Sequence, residues 1–210
     1  MKEEVMPMRS MWIAVCLLCL AGHISMAQRL PPVIADLWGS DITVREFLER
    51  VDPLVLYRIP HEFWDVKVQW GAETLQFRWK GAPEEALAKD IDAGGVEPES
   101  IVIYVHCTNA IEDLGGRDVY YGASSTVWYP PFLRMPYMQV TAWLWETGMW
   151  PVDSEYDDCY NCWRVTVNDV EHVAGQHYYQ TVSLHCAEAP PGYEPQYQCT
   201  TRYSPNIWID

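Results

Sequence analysis

No stretch of this sequence stays apolar for the roughly 18 residues that a membrane-spanning helix needs, so no helical span is expected. Basic residues are scarce. Lys and Arg number 14 against 29 Asp and Glu, a formal charge of -15. A surface that binds nucleic acid needs clustered cations to release counterions from phosphate, so that partner class is excluded. Charged residues make up only 20% of the 210 against 49% hydrophobic, too apolar a mixture to stay disordered. Internal repeats, low-complexity tracts and interdomain linkers are missing. So are the G-x-S-x-G, H-E-x-x-H and P-loop patterns, and no signature names a reaction.

What is present begins with a leader. Residues 11–22 form an apolar run behind Arg9, and the small side chains of Ser25 and Ala27 follow. That pattern predicts a secretory signal, residues 1–27, cleaved before Gln28. Glu3 and Glu4 cancel Lys2 and Arg9, and initiation at Met6 or Met8 would restore a positive start. The mature chain, residues 28–210, is expected to be one domain, secreted or periplasmic, with the acidity serving solubility. Cys16 and Cys19 leave with the leader, while Cys107, Cys159, Cys162, Cys186 and Cys199 stay. In an exported protein these are disulfide candidates first, and the odd count leaves one thiol free or bridged to another molecule.

Along the mature chain, residues 28–40 read as an extended arm. Thr43 and Glu46 form an S/T-x-x-E capping box, and Val44, Phe47, Leu48 and Val51 behind it mark one apolar helical face that Pro53 ends. The period then changes to two. Trp64, Val66, Val68 and Trp70 alternate on one face, and Leu75, Phe77 and Trp79 do so beyond a Gly71-bearing link, which predicts a hairpin. Pro83 opens a second short helix through about Asp92. Residues 101–107 read as a buried central strand, 112–125 mostly as loop, 125–129 and 137–146 as strands, and 150–158 as an acidic loop. Residues 163–172 and 177–186 predict a second hairpin turning at Ala174 and Gly175, with Trp163 opposite Cys186. A Pro-rich tail should wrap the surface, tied down at Cys199. Together these predict a mainly β fold, an antiparallel sandwich or curled sheet with two short helices; a mixed α+β layer fold is the alternative.

Several constellations could carry chemistry. Cys159 and Cys162 have C-x-x-C spacing, but Asp157 and Asp158 beside them oppose a reactive thiolate, and Cys186 and Cys199 lack the close spacing of a zinc set. Disulfides involving Cys159, Cys162, Cys186 and Cys199 are the expectation. Asp153, Glu155 and Asp157 alternate as calcium ligands could, without the glycine and distal glutamate of a known calcium loop. His172 and His177 would face each other across the second hairpin, and His185 and Ser183 would share a polar face with Arg164. None of these assigns a metal or a cofactor. The aromatic side chains Tyr120, Tyr121, Trp128 and Tyr129 fall in or near expected loops, where flat rings can stack on sugars. The sequence therefore predicts an exported, non-catalytic domain that binds a glycan, matrix or envelope protein. A secreted hydrolase with a carboxylate or His site is the alternative.

Overall fold

The structure is a computed structural model that describes residues 30–80, 102–131 and 133–210. The leader and the helix expected at residues 83–92 lie outside the described residues. The protein is a β-sandwich with short helices packed on one side, in agreement with the mainly β expectation.

The helical layer comes first in the chain: α1 (Pro32–Leu37), α2 (Val44–Val51), α3 (Pro53–Leu56) and a 3-10 turn at His61–Phe63. In α2 the capping box forms as read: the Thr43 side chain accepts from the Glu46 amide, and the Glu46 carboxylate accepts from the Thr43 amide. Val44, Phe47, Leu48 and Val51 are all buried. Two regions depart from the sequence reading. The arm at residues 28–40 contains α1, whose first residue, Pro32, has the φ a helix start needs and no amide to leave unpaired. The apolar residues after Pro53, given no helix by the sequence reading, form α3, with the Asp52 carboxylate accepting from the Leu54 amide.

Among the described residues eleven strands follow: β1 (Val68–Trp70), β2 (Thr74–Trp79), β3 (Val102–Gly115), β4 (Asp118–Tyr129), β5 (Met135–Glu146), β6 (Pro151–Cys162), β7 (Arg164–His172), β8 (His177–Glu188), β9 (Tyr193–Glu194), β10 (Tyr197–Tyr203) and β11 (Ile207–Ile209). A six-stranded sheet runs β1-β10-β8-β5-β6, with β11 also on β8. A five-stranded sheet runs β7-β4-β3-β2-β9. β1 joins β10 in parallel, and the other pairs are antiparallel.

Neither predicted hairpin exists. β1 and β2 belong to different sheets, and so do β7 and β8. In both places the chain crosses between the two layers, so the two strands go to different partners: β1 pairs with β10 and β2 with β3, while β7 pairs with β4 and β8 with β5 and β10. Val165 and Val167 pair with Ser125 and Ala123 of β4, while Cys186 pairs with Cys199 of β10. The "loop" at residues 112–125 is instead the far half of a long β3-β4 hairpin, turned by Gly115, Gly116 and Arg117, all at positive φ. The acidic "loop" is β6, an edge strand, where charge discourages pairing with another chain. The tail supplies β9, β10 and β11, and β10 lies inside the six-stranded sheet.

Two cores result. Met138, Val140, Ala142 and Leu144 of β5 pack against Leu75, Phe77, Ile103, Val105 and Tyr121 of the opposite sheet. Tyr137, Trp143 and Trp145 of the same strand pack against Phe47, Leu48 and Phe63 of the helical layer. The six-stranded sheet is thus covered on both faces, which is why β5 shows no polar alternation.

The four paired cysteines form Cys159–Cys162 and Cys186–Cys199, and Cys107 is free and buried. Both bonds are local, and neither links the region of Cys162 to that of Cys186. Closing the larger loop, with a sequence separation of 13, removes more unfolded-state entropy than closing one of 3. Replacing Cys186 and Cys199 by alanine is expected to cost about 3 kcal/mol in urea unfolding, against about 2 kcal/mol for the other pair. Equal losses from the two double variants would contradict the loop-length account.

Candidate functional site

Of the polar group expected around His185, only Ser183 lies beside it, and both are inside the core. Tyr179, Thr181, Ser183, His185 and Ala187 of β8 point between the sheets, since Val182, Leu184 and Cys186 face the helices. His185 is fully buried; its Nδ1 lies 2.9 Å from Ser125 Oγ and its Nε2 lies 2.9 Å from Ser183 Oγ. Cys107 is beside this chain, within reach of the Ser125 hydroxyl. Burial, and then the positive charge of Arg202 and the nearby His106, lower the His185 pKa to about 3. Burial pushes the Cys107 thiol up to about 12. A neutral imidazole and a protonated thiol sealed between two sheets form a satisfied polar plug, with no route for a substrate. Arg164, the expected neighbour of His185, lies on the other sheet and faces solvent.

The histidines expected to face each other take separate carboxylates. His172 Nδ1 is 2.8 Å from Asp118 Oδ1, and His177 Nδ1 is 2.9 Å from Glu146 Oε1. The acids of β6 are spread along a strand: the Tyr121 hydroxyl donates to Asp153 Oδ2 at 2.6 Å, while Asp157 accepts from the next backbone amide. Among the described residues, no group of three or more His, Cys, Asp or Glu is placed to hold a metal ion.

The four aromatic residues divide by strand alternation. On β4, Val119, Tyr121, Ala123, Ser125 and Val127 point into the sandwich, so Tyr121 is wholly buried and leaves the candidate set. Burial and the Asp153 carboxylate raise its hydroxyl pKa far above the ordinary tyrosine value. Tyr120 points outward and is half-buried, nearer the hairpin turn. Trp128 and Tyr129 are at the other end and exposed, Trp128 to 73%. A β-bulge aims them: Tyr104 pairs with Tyr129 but Val105 pairs with Val127, leaving Trp128 as the extra residue. The Tyr104 and Tyr129 rings lie 6.5 Å apart, which makes an aromatic corner.

That corner borders the outer face of the five-stranded sheet, which no described element covers. Strand register lays Arg164, Thr126, His106 and Thr74 side by side across β7, β4, β3 and β2. Thr166, Ser124 and Thr108 form the next row. The rows are tied together, since Arg164 Nε donates to Thr166 Oγ1 at 3.0 Å and Thr166 donates to Ser124 Oγ at 3.1 Å. Short hydroxyls held by a sheet and by one another make a flat, pre-ordered polar surface. Sequence reasoning missed it because its members come from four strands and share no local pattern.

At the lateral edge, between β2 and the β1–β10 side of the other sheet, is a cleft of about 560 Å³. Gln69, Thr74, Gln76, Arg78, Glu194 and Gln198 line it. Gln69 Nε2 donates to Gln198 Oε1 at 2.9 Å, and Gln198 Nε2 donates to the Gln76 carbonyl, bridging the sheets. A smaller cavity of about 240 Å³ beside Gly71 and Tyr203 is occupied at its wall by Arg202, whose Nη1 is 3.0 Å from Glu73 Oε1.

No family model, curated protein or solved structure matches this chain. No described helix is long and apolar enough to cross a membrane. The two disulfides fit folding in an oxidising environment.

Proposed function

We propose that the protein is an exported, non-catalytic module that binds a glycan across the outer face of its five-stranded sheet. The observation that carries this reading is the pairing of an aromatic corner, exposed Trp128 and Tyr129 beside half-buried Tyr104, with the hydroxyl rows next to it. A sugar ring offers a C–H face to an aromatic surface and hydroxyls around its rim, so it matches a flat site of this mixed character. The hydrolytic alternative has less support: the Ser125, His185 and Ser183 chain is inaccessible and its imidazole stays neutral. Export follows the leader pattern and the two disulfides, with a secreted or periplasmic destination.

Binding to a panel of oligosaccharides by calorimetry or on a printed array tests the proposal. Wild-type protein should bind at least one class. Trp128→Ala should weaken that binding about tenfold, equivalent to about 1.4 kcal/mol, with the unfolding midpoint unchanged because the ring is outside the core. Full affinity in Trp128→Ala, or no binding across the panel, would refute it.

A further inference from the structure

We infer that the edge cleft is the terminal subsite of this glycan face and selects a single carboxylate-bearing sugar, a uronic acid at the end of an otherwise neutral chain. The inference rests on the glycan reading above. The cleft joins the face through β2, where Gln76 is the cross-strand neighbour of Tyr104 and Thr74 that of His106. A chain stacked on the aromatic corner and extending across Gln76 therefore ends between Arg78 and Gln198. A volume of about 560 Å³ is in the range of sites that enclose a small ligand.

Charge supplies the selectivity. Arg78 pairs in register with Glu194, but the Glu194 carboxylate is taken by Lys80, whose Nζ is 2.8 Å from Oε1. Glu194 therefore pairs with Lys80 and not with Arg78, and the Arg78 guanidinium has no hydrogen bond or ion pair among the described residues. A guanidinium fork matches a carboxylate bidentately, and the free amide of Gln76 can take the adjoining hydroxyls. The surrounding molecule carries a net charge of -15, so a polyanion would be repelled along its length. One terminal carboxylate meets the local cation without that repulsion.

The test compares neutral oligosaccharides of glucose, galactose, xylose and N-acetylglucosamine with the same chains ending in glucuronic acid, and with those acids reduced to the alcohol. Wild-type protein should bind a glucuronate-ended chain about tenfold more tightly than its reduced form. Arg78→Ala should abolish that preference while keeping the weaker neutral binding, and Arg78→Lys should restore part of it. Arg164→Ala should leave the preference intact, and Trp128→Ala should weaken acidic and reduced chains alike. Equal affinity of wild-type protein for the acidic and reduced chains overturns the inference and leaves the glycan reading standing. Loss of the preference in Arg164→Ala but not in Arg78→Ala also overturns it, as does tighter binding of sulfated polyanions. No binding to any chain overturns both.

Discussion

Replacing Trp143 by alanine is expected to remove about 3–5 kcal/mol of stability, the range for emptying a large aromatic site in a packed core. The residue is fully buried, its ring lies 6.1 Å from that of Phe47, and its Nε1 donates to Asp52 Oδ2 at 3.0 Å. One side chain thus joins the six-stranded sheet to two helices by packing and by a hydrogen bond. Since domains of this size are stable by only about 5–15 kcal/mol, the variant should lie near the edge of folding. Trp143→Phe separates the contributions: it keeps much of the volume and loses the bond to Asp52, so it should cost about 1–2 kcal/mol. Urea unfolding with an unchanged slope is the measurement. A loss under 1 kcal/mol for the alanine variant would mean that the helices do not pack on the sheet as described.

Acid should destabilise the protein through His185 before its carboxylates are fully protonated. Its folded pKa is about 3, against an ordinary value of 6.5, because burial excludes the charged form and Arg202 and His106 add repulsion. A depressed pKa means that the unfolded chain binds the proton more readily. The stabilising effect is therefore complete above pH 6.5 and is lost as the pH falls from there towards 3. Each unit in that window costs up to about 1.4 kcal/mol, so roughly 2–3 kcal/mol should disappear between pH 7 and 4.5. His185→Gln carries a donor and an acceptor but no titrating group. The loss of urea midpoint between these pH values should be smaller in the variant by that amount, and identical losses would contradict a buried neutral histidine.

The parts of the fold that could be read from sequence are those set by local chemistry. The Thr43–Glu46 box and its four apolar partners needed only the helical period, and all six residues behave as read. The tryptophans of β5 marked a strand buried on both faces because no half-exposed strand tolerates them. The errors concern partners. Two alternating runs joined by a short link look alike whether they pair edge to edge or enter different sheets, and both expected hairpins are of the second kind. The polar residues of β8 gave the same difficulty: Thr181, Ser183 and His185 imply an outer face, yet they face the opposite sheet, where Ser183 and His185 bond to each other and Thr181 donates to the Ala110 carbonyl. On the β3 side of the β3-β4 hairpin tip, residues 112–115 are all exposed and show no apolar alternation.

The candidate site was partly visible for the same reason. Trp128 and Tyr129 stand out because large rings next to Pro130 have little core to enter. Tyr121 was indistinguishable from Tyr120 until the strand alternation was known, and the hydroxyl rows and the Arg78 cleft exist only through register between distant segments.

The central claim is that the uncovered sheet face is where a glycan rests. Mapping amide and indole chemical-shift changes by NMR, while titrating the best-bound oligosaccharide, tests it most directly. The account predicts changes at Tyr104, Thr126, the Trp128 indole and Gln76, with Trp143 and the helical layer silent. Changes confined to the helical side, or to the opposite end near Trp150 and Trp208, would contradict it.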